Sequence, residues 1–326
     1  MTLKKLFSLM KLQSIRTLIE IDRFCWRDLG FKLLPDKICC GLLFFRKLGY
    51  PLNLDNPKTF NEKIQWLKLY DRNPEYTKIV DKYEAKKYFL EKIGGEYLIP
   101  QLGIWDCFND IDFSKLPDQF VLKCTHDNGS VVICRDKALF NFDSAKKKLS
   151  KALTRNKYYQ FREWPYKNVK PRIIAEKFLS DGSGDNVDYK LMCFNGKVRF
   201  YHACSKRFSA EGVHVTYFDN SGNRLAFKEK GRPCDDKVKK PVNFEKMLKL
   251  AERFARGTAF LRVDFFEIDN RVYLGELTFY PDAGFSKFDL EGCDEQLGSW
   301  ITLPSKVIPQ VFTESPEEKI AVTQNV

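Results

Sequence analysis

The segment that most restricts the fold lies towards the C-terminal end, where two β-type runs, residues 260–268 and 272–279, flank the polar stretch Asp269-Asn270-Arg271. The first run contains Arg262-Val263-Asp264-Phe265-Phe266 and the second contains Leu274-Gly275-Glu276-Leu277-Thr278. Side chains alternate across a strand, so Arg262 and Asp264 share one face, as do Glu276 and Thr278. Whether both pairs lie on the same face depends on the turn. A three-residue loop of Asp269, Asn270 and Arg271 pairs Ile268 with Val272 and sets Asp264 opposite Glu276, with Cβ atoms about 5 Å apart. A two-residue turn would put the acids on opposite faces. Facing carboxylates repel, so the three-residue register predicts a hard cation between Asp264 and Glu276, most simply Mg²⁺, with Arg262 as the alternative neutralising charge. For the hairpin alone, two solvated charges on an outer sheet face are the simpler alternative.

Two upstream features are weaker singly. Residues 120–123 and 131–134 read as short strands around Thr125-His126-Asp127-Asn128-Gly129-Ser130. Lys123 ends the first, and a lysine beside backbone amides freed by glycine is a recurrent way to hold phosphate, here with Gly129 and Ser130 in the loop. The spacing is not that of a Walker A loop, and a lysine at a strand end is usually a solvated charge. Further on, Glu176-Lys177-Phe178-Leu179 leaves a strand for the connector Ser180-Asp181-Gly182-Ser183-Gly184-Asp185, where exposed backbone can read an adenine edge. His126, His202 and His214 have no metal-ligand spacing, and His126 reads as an ordinary loop histidine. Trp164 and Tyr166, among Arg162, Lys167 and Lys170, suit stacking on a sugar or packing in a core.

At 326 residues the chain has the length of about two packed units. Its 44% hydrophobic and 30% charged residues exclude a disordered chain. The apolar run 38–45 falls short of the roughly 20 residues of a spanning helix, and ten scattered cysteines without a Cys-x-x-Cys pair read as reduced cytosolic thiols. The N-terminus lacks the pattern of a secretory signal, and the expected location is cytoplasmic. A net charge of +12 favours an anionic partner: nucleotide, nucleic acid, acidic polysaccharide or lipid headgroup. Residues 1–50 suit amphipathic helices, with packing on the protein weighed above contact with a membrane surface. Helical periodicity runs to residue 90 with a break at Pro74, a basic helix carries Lys146-Lys147-Lys148 and Lys151, and residues 243–256 suit another helix. Strands are expected over 172–178, 189–194, 198–202 and 213–218, the middle two joined by an Asn195-Gly196 turn.

Taken together, Asn56-Pro57-Lys58-Thr59-Phe60-Asn61-Glu62-Lys63, Lys123-Cys124-Thr125-His126, Arg162-Glu163-Trp164, Lys170-Pro171-Arg172-Ile173-Ile174 and Gly275-Glu276-Leu277-Thr278-Phe279-Tyr280-Pro281 resemble the TupA-like, teichuronopeptide-biosynthesis branch of the ATP-grasp superfamily over about residues 54–304. The resemblance implies an α+β fold whose two α+β subdomains clamp ATP, preceded by a mainly helical N-terminal region. It implies boundaries at 1–53 (basic helical region), 54–115 (helix and loop), 116–179 (lid), 180–304 (catalytic subdomain) and 305–326 (tail). It also implies that Lys123 and Ser130 bind phosphate, Glu176, Lys177 and Leu179 belong to the adenine hinge, and Asp188 contacts ribose. Lys190 and Arg262 are then the catalytic cations, and Asp264, Glu276 and Thr278 the Mg²⁺ ligands. Thr278 departs from the Asn of many ATP-grasp enzymes, and the helical N-terminal region departs from the usual α/β domain.

The resulting expectation is an ATP-dependent ligase of cell-surface polysaccharide biosynthesis. It would activate the carboxylate of a uronic acid or amino acid as an acyl phosphate and join it to an amine. The alternative is a glycosyltransferase-like enzyme of capsule or surface polysaccharide. Such an enzyme usually carries its paired acids as a local Asp-x-Asp, and the candidate pair Asp235-Asp236 reads as solvated in a charged loop. The implied partners are ATP and an anionic saccharide or amino-acid substrate, with possible contact between the N-terminal region and the inner membrane surface. A nucleic-acid partner would leave the acid pair without a role.

Overall fold

The computed structural model describes residues 33–180, 182, 186–207 and 209–305. The helices expected within residues 1–32, most of the 181–185 connector and the 306–326 tail lie outside the described residues.

Four helices come first: α1 (Asp36–Leu48), α2 (Phe60–Tyr70), α3 (Glu75–Val80) and α4 (Glu84–Ile93). Thr59 starts α2 with a capping box, its hydroxyl accepting from Glu62 N (3.1 Å) while the Glu62 carboxylate accepts from Thr59 N (3.1 Å). Pro74 breaks the run and begins α3 at its N-terminus, where a missing N–H costs nothing. Among the described residues no helix is long and apolar enough to cross a membrane, and nine cysteines are free thiols.

A small antiparallel sheet follows, built from β1 (Gln101–Trp105), β2 (Phe120–Cys124), β3 (Val132–Cys134) and, after α5 (Phe142–Leu153) and α6 (Tyr158–Phe161), β4 (Ile173–Lys177). The strand order is β1-β4-β2-β3. Phe120, Leu122 and Cys124 point into a core shared with Leu149 of α5 and with Ile173 and Ala175 of β4. The opposite face of β2 and β4 therefore carries Val121, Lys123, Ile174 and Glu176, the register pairing Val121 with Glu176 and Lys123 with Ile174.

The large sheet comprises β5 (Asp188–Phe194), β6 (Lys197–Ser205), β7 (His214–Phe218), β8 (Phe260–Ile268) and β9 (Arg271–Thr278), with α7 (Phe244–Ala255) between β7 and β8. Its order is β7-β6-β5-β8-β9, all antiparallel. Asn195-Gly196 makes the expected two-residue turn, both residues at positive φ. One hydrophobic core joins this sheet to α2, α3, α4 and α7, and α8 (Cys293–Ser299) packs on α2. Gly298 is required there, since a Cβ would lie 2.1 Å from the Lys58 carbonyl oxygen.

The hairpin of β8 and β9 corrects the expected turn. Ile268 pairs with Arg271, so the loop has two residues, Asp269 and Asn270, with φ 50° and 60°. That turn alone would separate Asp264 and Glu276, but the register shifts by one between Phe265↔Leu274 and Asp264↔Glu276, leaving Gly275 as a bulge. The acids do face each other. A bulge rather than an odd turn supplies the extra residue.

Candidate functional site

Cross-strand pairing lines up one row over the whole large sheet: Tyr217, His202, Lys190, Asp264 and Glu276. Arg262 and Thr278 pair in the next row on the same face. Arg262 Nε donates to Asp264 Oδ1 (2.7 Å), and Nη2 donates to Asp264 Oδ2 (2.8 Å) and Glu276 Oε1 (3.0 Å). Lys190 Nζ bonds Asp264 Oδ2 and reaches Asp188 Oδ2 at 2.6 Å. Burial alone would raise the Asp264 pKa, but Arg262 and Lys190 hold it well below the usual carboxylate range. The same acids outweigh burial to raise Lys190 and Arg262, so all three remain charged. Burial and the neighbouring Asp264 raise Asp188 against the pull of Lys190, and its Oδ1 is buried without a partner.

In the small sheet Lys123 Nζ pairs with Glu176, whose other oxygen accepts from Lys86 Nζ of α4 (2.8 Å). Burial opposes the Glu176 charge, yet Lys123 and Lys86 hold its pKa below the ordinary value. The glycine-containing loop is tied by Ser130, whose Oγ donates to Asp127 Oδ1 (2.5 Å) and accepts from Cys124 N (3.0 Å). Lys82 Nζ donates to the Asp127 carbonyl. Lys177 and Leu179 line a cleft of about 470 Å³ with Lys123, Gly129 and Phe178. The Leu179 carbonyl accepts from Asn186 Nδ2 (2.7 Å).

The sheets meet at a cavity of about 20 Å³ walled by Lys82, Lys86, Lys123, Tyr166, Glu176 and Glu276. Thus Lys123 and Glu176 of the small sheet come together with Glu276 of the large one. Lys82 and Lys86 were missed by the sequence reading; burial lowers both pKa values. Lys82 sits in the turn just before α4 and Lys86 in its first turn, so no helical spacing marks the pair in the sequence.

The donor set tests the expected metal. Asp264 and Glu276 offer hard oxygens, but among the described residues no group of three or more His, Cys, Asp or Glu side chains could hold a metal. Two carboxylates suit Mg²⁺ that takes its remaining ligands from water and substrate phosphates. Thr278 Oγ1 donates to Glu276 Oε1 (3.4 Å), placing its hydroxyl beside the pair. Arg262 is the cation that holds the acids together in this structure, the alternative raised by the sequence.

Other expectations are relocated. His126 is buried against α5, with Nε2 3.1 Å from the Ala152 carbonyl oxygen. Trp164 Nε1 donates to Tyr280 OH (3.1 Å), and Trp164 and Tyr166 pack against the main core. Asp235 is buried rather than solvated, accepting from Ser205 Oγ (2.8 Å), whereas Asp236 is exposed and pairs with Arg224. The sequence also contains one Asp-x-Asp, Asp110-Ile111-Asp112, whose acids are exposed; Asp112 accepts locally from Ser114 Oγ (2.6 Å).

No curated protein matches the chain significantly. Similar solved structures include D-alanine–D-alanine ligase from Bacillus anthracis complexed with ATP, at 16% identity and TM-score 0.36, covering 62% of this chain and 53% of that one. The chain therefore spans about half of that ligase's length. The enzyme from Helicobacter pylori matches at 16% identity and TM-score 0.38, covering 74% of this chain and 69% of the other. A RimK domain ATP-grasp protein from Sphaerobacter thermophilus has 12% identity and TM-score 0.38, with 71% and 70% covered. The model of the TupA-like ATP-grasp family matches residues 62–302, a span that contains both sheets and every acid and cation of the row, and the chain belongs to that family, with its α+β ATP-grasp fold.

Proposed function

We propose that the protein is an ATP-dependent carboxylate–amine ligase acting in cell-surface polysaccharide biosynthesis. The observation that carries this reading is the convergence of Lys123 and Glu176 of the lid with Glu276 of the catalytic row at one cavity. Adenine would occupy the cleft beside Lys177, Phe178 and Leu179, and the unpartnered Asp188 Oδ1 offers an acceptor to a ribose hydroxyl. Lys123 would hold phosphate oxygens, with Lys82 and Lys86 adding positive charge at the same wall. Lys190 and Arg262 would stabilise negative charge on the transferring phosphoryl group. Bound Mg²⁺ would polarise that group, and Asp264, Glu276 and Thr278 are the residues to hold it.

In this reading, attack of a uronic-acid or amino-acid carboxylate on the γ-phosphate releases ADP and forms an acyl phosphate. An amine then displaces phosphate to give the amide. The net charge of +12 suits an anionic saccharide substrate. Calorimetry with Mg-ATP and UDP-sugars tests the nucleotide assignment, and mass spectrometry after incubation with ATP and candidate polymers tests the product. Lys123→Ala should weaken Mg-ATP binding by about tenfold or more. Undetectable ATP binding, tighter binding of a UDP-sugar in the same cleft, or unchanged affinity in the variant would count against the assignment.

A further inference from the structure

The small sheet ends in an open edge, since among the described residues β3 pairs with β2 alone. A groove of about 500 Å³ follows that edge between β3 and α5, and Val131, Leu139, Phe140, Ser144 and Lys148 are among its walls. Lys148 Nζ donates to the Val131 carbonyl (2.7 Å), so a charged side chain already covers part of the edge.

Large apolar side chains are left outside here. Of the eight exposed in the described residues, Val131 (40% exposed), Leu139 (83%) and Phe142 (40%) all fall within residues 131–142. Local hydrogen bonds hold them in place. Asp136 Oδ1 accepts from Ala138 N (2.8 Å) at the start of the 3₁₀ turn Lys137–Leu139, and Asn141 Oδ1 accepts from Ser144 N (2.8 Å) to cap α5. Phe142 is braced on the small-sheet core, its ring 4.9 Å from those of Phe113 and Phe140.

Positive charge surrounds these side chains. Residues 135–155 contain seven basic and two acidic residues, a net +5 of the chain's +12. Of the two acids, Asp136 is taken up by its turn and Asp143 lies in the first turn of α5. The helix buries Ala145, Leu149 and Ala152 and leaves Lys146, Lys147, Lys148 and Lys151 exposed. Lys146, Lys147 and Lys151 make no ion pair among the described residues.

Apolar side chains standing among lysines call for a partner that offers both an anionic surface and an apolar layer. A second copy of the same face would set lysine against lysine. A soluble acidic polymer would engage the cations and leave Leu139 in water. A bilayer with anionic headgroups meets both requirements.

We propose that this edge of the small sheet docks on an anionic lipid bilayer. Val131, Leu139 and Phe142 enter the boundary between headgroups and acyl chains, and Lys146, Lys147 and Lys151 meet headgroup phosphates. Val131, Ile133, Arg135 and Lys148 line both the groove and the cleft of about 470 Å³ beside Lys177 and Phe178. Docking thus sets that cleft at the membrane surface, whatever reaction it serves.

The test is co-sedimentation of the full chain with vesicles of phosphatidylglycerol and phosphatidylcholine (about 3:7) and of phosphatidylcholine alone. The wild type should bind the anionic vesicles at least about tenfold more tightly, and added salt should weaken that binding. Leu139→Asn should weaken it about fivefold, and the double variant Lys147→Glu/Lys151→Glu at least about tenfold. Lys246→Glu/Lys249→Glu changes the net charge equally at exposed positions of α7 and should keep near-normal binding. Thermal unfolding checks that the variants fold. Absence of a preference for anionic vesicles, or equal losses in the two double variants, overturns the docking face. Undiminished binding in Leu139→Asn overturns it as well, leaving the lysines to a soluble polyanion and any vesicle binding to another part of the chain.

Discussion

Asp264 and Glu276 share Arg262 but differ in surroundings, and their substitutions should differ accordingly. The Asp264 side chain is 3% exposed and is contacted by Arg262 and Lys190, while the Glu276 side chain is 39% exposed. Asp264→Asn would leave two buried cations poorly compensated, a change of the kind that costs about 3–5 kcal/mol. Glu276→Gln should leave stability nearly unchanged and still lower turnover by about a hundredfold or more. Urea unfolding beside ADP release at varied Mg²⁺ checks both; near-normal turnover and Mg²⁺ dependence in Glu276→Gln would remove the acids from the chemistry. His202 gives a pH signature. With its pKa at about 3 in the folded chain against 6.5 unfolded, the unfolded chain binds the extra proton between those values. Stability from this group is thus complete above about pH 6.5 and lost as pH falls towards 3. Between pH 7 and 5 the wild type should lose about 2 kcal/mol more than His202→Gln, measured by urea unfolding at both values.

At the level of elements, the hairpin shows how far pattern reading reaches. Alternation in residues 260–268 and 272–279 revealed the strands and the candidate acids, because solvated and buried faces differ in polarity at every second residue. The turn was misread because positive φ at Asp269 and Asn270 leaves a weaker trace than an Asn-Gly pair, as the correctly read Asn195-Gly196 turn illustrates. The bulge at Gly275 was invisible for another reason: an isolated glycine in a strand does not state which side of the register it shifts. Lys82 and Lys86 escaped because lysines near a helix start normally face water, and only the approach of Glu176 and the glycine-containing loop makes them part of a site. Deleting Gly275 should restore an unbulged two-residue hairpin that still sets Glu276 opposite Asp264 and Thr278 opposite Arg262, because Gly275 is the one residue without a cross-strand partner. The shortened protein should keep turnover within about tenfold and remain Mg²⁺-dependent, and loss of turnover in a folded variant would show that the bulge does more than set the acid pair.

Over the whole molecule the described residues contain two large cores. One gathers the large sheet with α2, α3, α4 and α7; the other lies between the small sheet and α5. The helices α2, α3 and α4 before the small sheet therefore pack with the large sheet, although the chain passes through the small sheet before returning to it. Native-state hydrogen exchange should divide the protein accordingly, with amides of β2 and β4 exchanging through a different opening reaction from those of β5 and β8. Mg-ATP should slow the small-sheet group by at least about tenfold, and exchange of both groups through one common opening would contradict separate cores.

The packing of α2 extends to the segment after β9. Asn61, Gln65 and Lys68 are made early in the chain, yet their buried polar atoms meet partners at residues 283–286 and 294, more than two hundred positions later. Lys68 Nζ also donates to the Phe161 carbonyl (3.0 Å), so the side-chain amides of Asn61 and Gln65 are the groups of α2 that depend on the late segment for their partners. The small sheet and its core contain none of these long-range polar contacts. The long-range contacts that seat α2 thus also fix the segment that follows the acid-bearing hairpin.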